Sequence, residues 1–506
     1  MPRPALVIGA GPNGLSAAIA LAAAGREVTV LEAAGTPGGA VKTEELTLPG
    51  FHHDVFSAVY PAAAASPVFR ALPLERHGLT WIHPEVCYAH PLPDGTAVAL
   101  HRDVQATAAS LDDRHPGDGD TWATFADPYL RHFRALRNTL LSGFPPVKGP
   151  AELVARTGLK GGLDLARLLL GPAQGLGHEL FEDQGNRAWL YGAAMHGDVP
   201  PNGAGSAIAA AYLNLLGHAA GWPSPEGGAA RLAQALTAHL QELGGTIRTN
   251  ARVTKVATER GKVVGVHLQD GDRVSGSLVL ADVLPRQLRT LAEGDLPARY
   301  DHALARYRPG PATVKVDWAL DGRIPWSAPV ARRAGTVHVG GEEHEVLRDT
   351  EVSGPHLPEQ PFMLLGQQTV ADPTRAPAGK HTAWAYTHGP QGRGWPKDLE
   401  QEVERMEARI EQFAPGFRDR IKARHVMGPD DLFHRDANLH GGDVGAGSYA
   451  LDQVVFRPLP SLTPYRTPIR GLYLCSAATF PGGAVHGVPG AAAAKLALSE
   501  ARLRRF

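Results

Sequence analysis

The chain opens on a short apolar run, Ala5-Leu6-Val7-Ile8, stopped by Gly9. Small and apolar residues then dominate from Asn13 to Ala24, and Gly25 ends them. A short apolar run bounded by turn residues is the pattern of a buried strand, and a longer one closed by glycine is that of a helix. Glu27 to Leu31 restarts as a second strand, and Glu32 ends it. The opening is therefore predicted as strand, tight turn, helix, strand.

Further along, Leu92-Pro93-Asp94-Gly95-Thr96 predicts a hairpin turn between two short strands. Ala, Leu and Arg then prevail to about Gly221, punctuated by Pro145-Pro146 and Pro200-Pro201, which predicts a helical region. Within it, Leu165 to Leu170 is read as a buried helix, with an apolar tunnel wall or a membrane contact as the alternatives. Ala229 to Leu243 predicts a helix, and Thr246-Ile247 and Val253 to Val264 predict β structure. Leu278-Val279-Leu280-Ala281-Asp282 and Ala312 to Leu320 are strand-like. From Asp398 to Phe413, Leu399, Val403, Met406, Ile410 and Phe413 share one face of an amphipathic helix, too short before Pro415-Gly416 for a coiled coil. Gly471-Leu472-Tyr473-Leu474-Cys475 is the last strand, with a helix beginning near Ala484.

Buried strands alternating with helices predict an α/β fold, and 506 residues exceed one simple domain. A net charge of -1 gives no bulk attraction to nucleic acid or anionic membrane. Two cysteines, Cys87 and Cys475, exclude a disulfide framework and a dithiol centre built from neighbours. Glycines and Asn13 interrupt the N-terminal apolar stretch where an export signal is continuous. No run approaches the ~18–20 apolar residues of a spanning helix. The chain thus reads as cytoplasmic, with peripheral membrane contact left open. The 23 histidines form no metal-ligand spacing, and His434 and His440 are wrongly spaced for a zinc helix. His196 is read as structural rather than catalytic.

The chemistry lies in the glycines. In Gly9-Ala10-Gly11-Pro12-Asn13-Gly14, Gly9 permits the turn, Gly11 lets backbone approach a pyrophosphate and Gly14 lets helix and strand pack closely. The helix N-terminus offers unpaired N–H groups to phosphate. Glu32 stands where a carboxylate accepts hydrogen bonds from ribose hydroxyls, with Ala33 beside it. A second pair, Gly38-Gly39, sits before Ala40 and Val41. At the far end comes Pro481-Gly482-Gly483-Ala484-Val485-His486-Gly487. Two such loops, one at each end, suggest a flavin gripped from both. No second Gly-x-Gly-x-x-Gly occurs, so no separate nicotinamide domain is predicted, which disfavours disulfide reductases and monooxygenases.

These stretches, with Gly-Gly-Ala-Val-Lys-Thr-Glu-Glu at 38–45, Gly50-Phe51-His52-His53-Asp54, Arg457-Pro458 and Tyr465-Arg466-Thr467-Pro468, resemble the phytoene-desaturase-related FAD oxidoreductases. That group includes carotenoid desaturases, retinol saturases and uncharacterised bacterial NAD(P)/FAD-dependent oxidoreductases. The resemblance spans nearly the whole chain. It implies a Rossmann-like FAD-binding domain from 1–85, 225–300 and 426–506, with an inserted sheet-plus-helix substrate domain from 86–224 and 301–425. It also implies that backbone at Val253 holds the adenine, and that Ser476, Gly483, Val485 and His486 lie at the flavin. Ser476 and Ala484 stand where the family usually has glycine, and His486 where it usually has an apolar residue. His486 is the candidate catalytic side chain, as substrate orienter or proton relay. The alternative is a purely structural hydrogen bond. The implied activity is FAD-dependent hydride exchange with a C–H or C=C bond of an apolar, isoprenoid-like substrate, with a quinone or oxygen as electron acceptor and no nucleic-acid partner. The alternatives are an amine-oxidase-like enzyme acting on C–N bonds and a flavin-bearing scaffold without turnover.

Overall fold

The structure, a computed structural model, describes residues 4–351, 358–392, 395 and 399–503. Five parallel strands form one sheet in the order Leu472–Leu474, Leu278–Ala281, Ala5–Ile8, Val28–Leu31, Thr246–Arg248. Ala5–Ile8 is buried throughout, as a central parallel strand covered on both faces must be. That explains why it reads as a continuous apolar run rather than an alternating one.

The helices Pro12–Ala23 and Val488–Leu503 pack on this sheet and on each other. Their contact is backbone against backbone. A Cβ built on Gly490 would stand 1.9 Å from the Asn13 carbonyl oxygen, and within the first helix one on Gly14 would stand 2.1 Å from the carbonyl oxygen of Gly9 in the turn before it. Ala17, Ala18, Ala493 and Ala494 complete the seam. The alanine-rich composition of both helices follows from this close approach.

Seven strands form a second sheet, in the order Ile421–Met427, Ala312–Leu320, His381–Gly389, Met363–Gly366, Ala334–Val339, Val86–Pro91, Ala97–Leu100. Among these described strands, only the pairing of Ala334–Val339 with Val86–Pro91 is parallel. The predicted hairpin is present, with the Leu92 N–H donating to the Thr96 carbonyl at 2.9 Å. Glu400–Phe413 is the amphipathic helix, and Val403, Met406, Ile410 and Phe413 cover one face of the sheet. Asp398 lies outside the described residues. Ile421–Met427 carries this sheet across the expected 425/426 boundary.

The helical region caps the other face. Lys148–Leu170 is broken at Gly158, whose φ of 73° and ψ of -176° leave the helical range. Leu165 and Leu168 are buried while Leu163 and Leu170 are exposed, so the leucine run is a half-buried helix. One element differs from expectation at its boundary. The last helix starts at Val488, not near Ala484. Gly487 takes a left-handed φ of 69°, which holds off the helix until Pro489 can occupy its first turn.

Candidate functional site

The two glycine loops meet at one cavity of about 1630 Å³. Its wall includes Gly9, Gly11, Pro12, Asn13, Glu32, Ala33, Gly39, Ala40, Val41, Val253, Ser476, Gly483, Val485 and His486. Gly14 and Gly38 do not line it. Gly14 serves the packing just described, and Gly38 donates its N–H to the Ala10 carbonyl at 2.9 Å. Gly39 lies so near the first loop that its Cβ would be 3.0 Å from Gly11 Cα. The second glycine pair therefore forms one continuous backbone surface with the first.

Glu32 fixes this surface. One carboxylate oxygen accepts from the Ala10 N–H and the other from the Ala34 N–H, both at 2.7 Å. Asp282, at the end of the neighbouring strand, accepts from the Gly14 N–H at 2.8 Å. Burial pushes the Asp282 carboxyl up to about 7, and the charges of Asp436 and Glu32 add to the shift. Asn13 Oδ1 is buried without a partner.

At the other loop, Ser476 Oγ donates to the Val283 carbonyl at 2.7 Å, tying the loop to the strand beside it. Ala484 holds a φ of 70°, the left-handed conformation that favours glycine. The His486 ring is engaged on both nitrogens by its own loop: Nε2 lies 3.0 Å from the Gly483 carbonyl, and Nδ1 accepts from the Val488 N–H at 3.2 Å. That pairing fixes Nε2 as the protonated nitrogen. Burial lowers its pKa to about 4, so the ring is neutral near pH 7.

Several polar residues on the wall were not among the sequence candidates. Lys315 is buried in the strand Ala312–Leu320, paired with Asp317 and donating to the Asp54 carbonyl at 3.1 Å. Asp54, from the Gly-Phe-x-x-Asp stretch, accepts from Thr43 and from the Ala229 N–H, and pairs with Arg375 at 2.9 Å. Two buried cations and two buried carboxylates thus neutralise one another between the strand Ala312–Leu320, the short strand His53–Asp54 and the turn Pro373–Arg375, as buried charges require. Tyr449 lies against the second loop, since a Cβ on Gly483 would be 2.6 Å from its hydroxyl, and Arg457 stacks over its ring at 4.7 Å. Asp198 lines the cavity and lies 3.0 Å from His388 Nε2. The signal for Lys315 and Asp317 is a pair of charges inside an apolar run. The remainder converge only in three dimensions.

The cavity fits a dinucleotide cofactor by its chemistry. Side chains are absent where two backbone turns converge, a helix N-terminus faces the space, and a fixed carboxylate stands at the end of the second strand. It continues past this cradle into an apolar half walled by residues such as Leu141, Leu169, Ile208 and Leu213.

Comparison with known proteins accords with this geometry. Residues 13–493 match the family described as flavin containing amine oxidoreductase. The chain is 28% identical to the rat "Pyridine nucleotide-disulfide oxidoreductase domain-containing protein 2", over 97% of this chain and 92% of that one. It is 25% identical to a limonene dehydrogenase polypeptide of Castellaniella defragrans, covering 95% and 91% of the two chains. It is also 25% identical to a neurosporene-forming phytoene desaturase of Rhodobacter capsulatus, covering 96% and 92%. Among solved structures, an oxidoreductase from Methanosarcina mazei superposes with a TM-score of 0.62 at 19% identity, over 98% of this chain and 100% of that one. Cyclohexylamine oxidase from Brevibacterium oxydans superposes at 0.59 with 17% identity, over 100% of both.

Proposed function

The chain belongs to the flavin-containing amine oxidoreductase family and is an FAD-dependent oxidoreductase, and from that premise we propose that it oxidises or reduces a C–H or C=C bond of a long apolar, isoprenoid-like molecule. The observation that carries this reading is the lining of the cavity. Its volume of about 1630 Å³ includes the cofactor cradle, and the part beyond that cradle is walled largely by hydrocarbon side chains, Leu141, Leu169, Ile208 and Leu213 among them. The compounds named in two relatives, limonene and phytoene, are both apolar isoprenoids, the first compact and the second long.

In this reading FAD is held by the backbone of Gly9 to Asn13, Gly39 to Val41 and Gly483 to Val485, by Glu32, and by backbone at Val253. The chemistry that it supplies when bound is hydride-level, two-electron transfer. The chain's own residues do the rest. The apolar walls exclude water and orient the substrate. Lys315, held by Asp317 and the Asp54 carbonyl, places an ammonium donor on the cavity wall with its charge balanced by Asp317. His486 keeps the Gly483–Val488 turn in shape, its two nitrogens already engaged. The electron acceptor is a quinone or oxygen.

The entrance supports a lipid surface as the source of substrate. Leu170 and Val455 both line the cavity and stand exposed, and Leu159, Leu163 and Phe456 extend the apolar rim outward. Lys148, Arg156, Lys160 and Arg167 stand against Glu152 and Asp164 on the same helical stretch and Glu179, the partner of Arg167, a small positive excess toward anionic headgroups. No described helix is long and apolar enough to cross a membrane, so this contact is peripheral. Holoprotein should co-sediment with vesicles containing anionic lipid, and Leu159→Glu with Leu163→Glu should abolish it. Unchanged sedimentation of that double variant would remove the rim from the account.

A second reading rests on a different observation. Trp384, Tyr386, Tyr449 and the Asp198 carboxylate all line the cavity, and aromatic rings beside a carboxylate can hold an ammonium group. This is the amine-oxidising alternative. Anaerobic mixing of holoprotein with a panel of isoprenoids and a panel of primary amines, read by loss of flavin absorbance, separates the two. We expect bleaching by an isoprenoid. Bleaching by amines alone would replace the first reading with the second.

A further inference from the structure

We propose that His77, His239 and Glu242 form a surface site for a divalent transition metal ion of the zinc type, separate from the flavin cavity. The three come from two elements that are far apart in sequence, which is why spacing along the chain does not reveal them. His77 ends the 3-10 turn Leu74–His77, and His239 and Glu242 lie three residues apart on one face of the helix Ala230–Glu242. Leu74, Leu236 and Leu240 pack together in the core, so the turn is seated on the helix independently of any ion.

The donor atoms converge. His77 Nε2 lies 3.0 Å and His239 Nδ1 lies 3.2 Å from the same oxygen, Glu242 Oε2. All three donor atoms lie within 4.8 Å of one another. A tetrahedral zinc site with bonds of ~2.0–2.1 Å has donor-to-donor edges of about 3.3 Å, so a small ion fits with little rearrangement. The other carboxylate oxygen, Oε1, accepts from Arg76 Nη2 at 2.7 Å. Arg76 therefore turns the carboxylate so that Oε2 faces the imidazoles, the way an outer partner orients a metal ligand. Two imidazoles and one carboxylate suit zinc and its neighbours rather than magnesium or calcium, which take oxygen ligands. Glu242 is exposed on 43% of its side chain, leaving a fourth position open to water. None of the three residues lines the flavin cavity.

The site would clamp the 69–79 segment, by which the chain leaves the five-stranded sheet for the second one, onto the helix formed after its return. Its test needs no substrate. Chelator-treated holoprotein is titrated with cobalt(II) and zinc(II), with calorimetry for stoichiometry, visible absorbance for cobalt geometry and thermal midpoint for stability. We expect one ion per chain, tetrahedral cobalt bands displaced by zinc, and a midpoint that rises with zinc and falls back with chelator. His77→Ala and His239→Ala should each weaken binding by more than the ~10–100-fold that loss of an outer partner costs. Their flavin spectra should match wild type. Should His239→Ala fail to fold, His77→Ala on the surface turn and the chelator arm still decide the matter. Absence of saturable binding, or binding that survives His77→Ala, would overturn the proposal and leave a hydrogen-bonded surface cluster only.

Discussion

Glu32 holds two parts of the cradle with one carboxylate. Its two oxygens accept the Ala10 and Ala34 N–H groups, and it lines the cavity where a ribose is expected. Hydrogen bonds to a charged acceptor are worth ~1.5–3 kcal/mol each. Glu32→Ala should therefore weaken FAD retention by one to two orders of magnitude, measured by equilibrium dialysis or flavin fluorescence, with the apoprotein still folded. Unaltered retention would mean that the carboxylate serves only the loop. His486 shows what a sequence cannot settle at this scale. Its position beside the second loop is readable, but the choice between proton relay and structural bond depends on ring orientation. Both nitrogens turn back on the loop.

Among elements, the seam between the first and last helices makes the strictest demand on sequence. Gly490 meets the Asn13 carbonyl with no space for a methyl group. Gly490→Ala must push the helices apart or break the turn that carries Asn13, at a cost of about 3 kcal/mol, the upper range for overpacking. The expected result is a lower thermal midpoint together with a loss of bound FAD, because the displaced backbone forms the cradle. A midpoint within about a degree of wild type would contradict the packing, since a loss of that size moves it by several degrees. Elements of this kind are largely legible. The strand at Ala312–Leu320 and the face of Glu400–Phe413 follow from periodicity alone. What periodicity cannot supply is the pairing of strands, since sheet order joins residues hundreds of positions apart. The same gap hides Lys315, Asp198 and Tyr449 as parts of one cavity wall. The last helix starts later than its sequence suggests because alanine at 484 reads as a helix former, while its backbone takes a left-handed turn.

For the molecule as a whole, burial of titratable groups predicts its response to acid. His53 and His196 are lowered to about 3, and His90, His218 and His486 to about 4, chiefly by desolvation. His338 moves in the same direction. An unfolded imidazole titrates near 6.5, so the stability tied to these groups is complete above that pH and drains away as pH falls toward 4. Asp282, raised to about 7 by burial, acts oppositely, because the fold prefers it protonated, while burial raises Asp317 against the opposing pull of its partner Lys315. Near pH 5 the lowered imidazoles outnumber the raised carboxyls, so unfolding takes up protons and stability falls as the pH is lowered. Asp436 and Asp443, also raised, reduce that slope. The thermal midpoint should fall steeply from pH 6.5 to 5, and a flat profile there would show that these histidines are hydrated. The five-stranded sheet has a different consequence, for biosynthesis. Ala281 completes one of its strands, but the edge strand that pairs with it begins at Leu472. At ~5–20 residues per second on the ribosome, roughly 10–40 s pass between their emergence. Throughout that interval Leu278–Ala281 offers an unpaired, wholly apolar edge. The nascent chain thus carries an open apolar strand edge while the second sheet is being made, and a chain cut short before Leu472 lacks both the edge strand and the second glycine loop of the cradle.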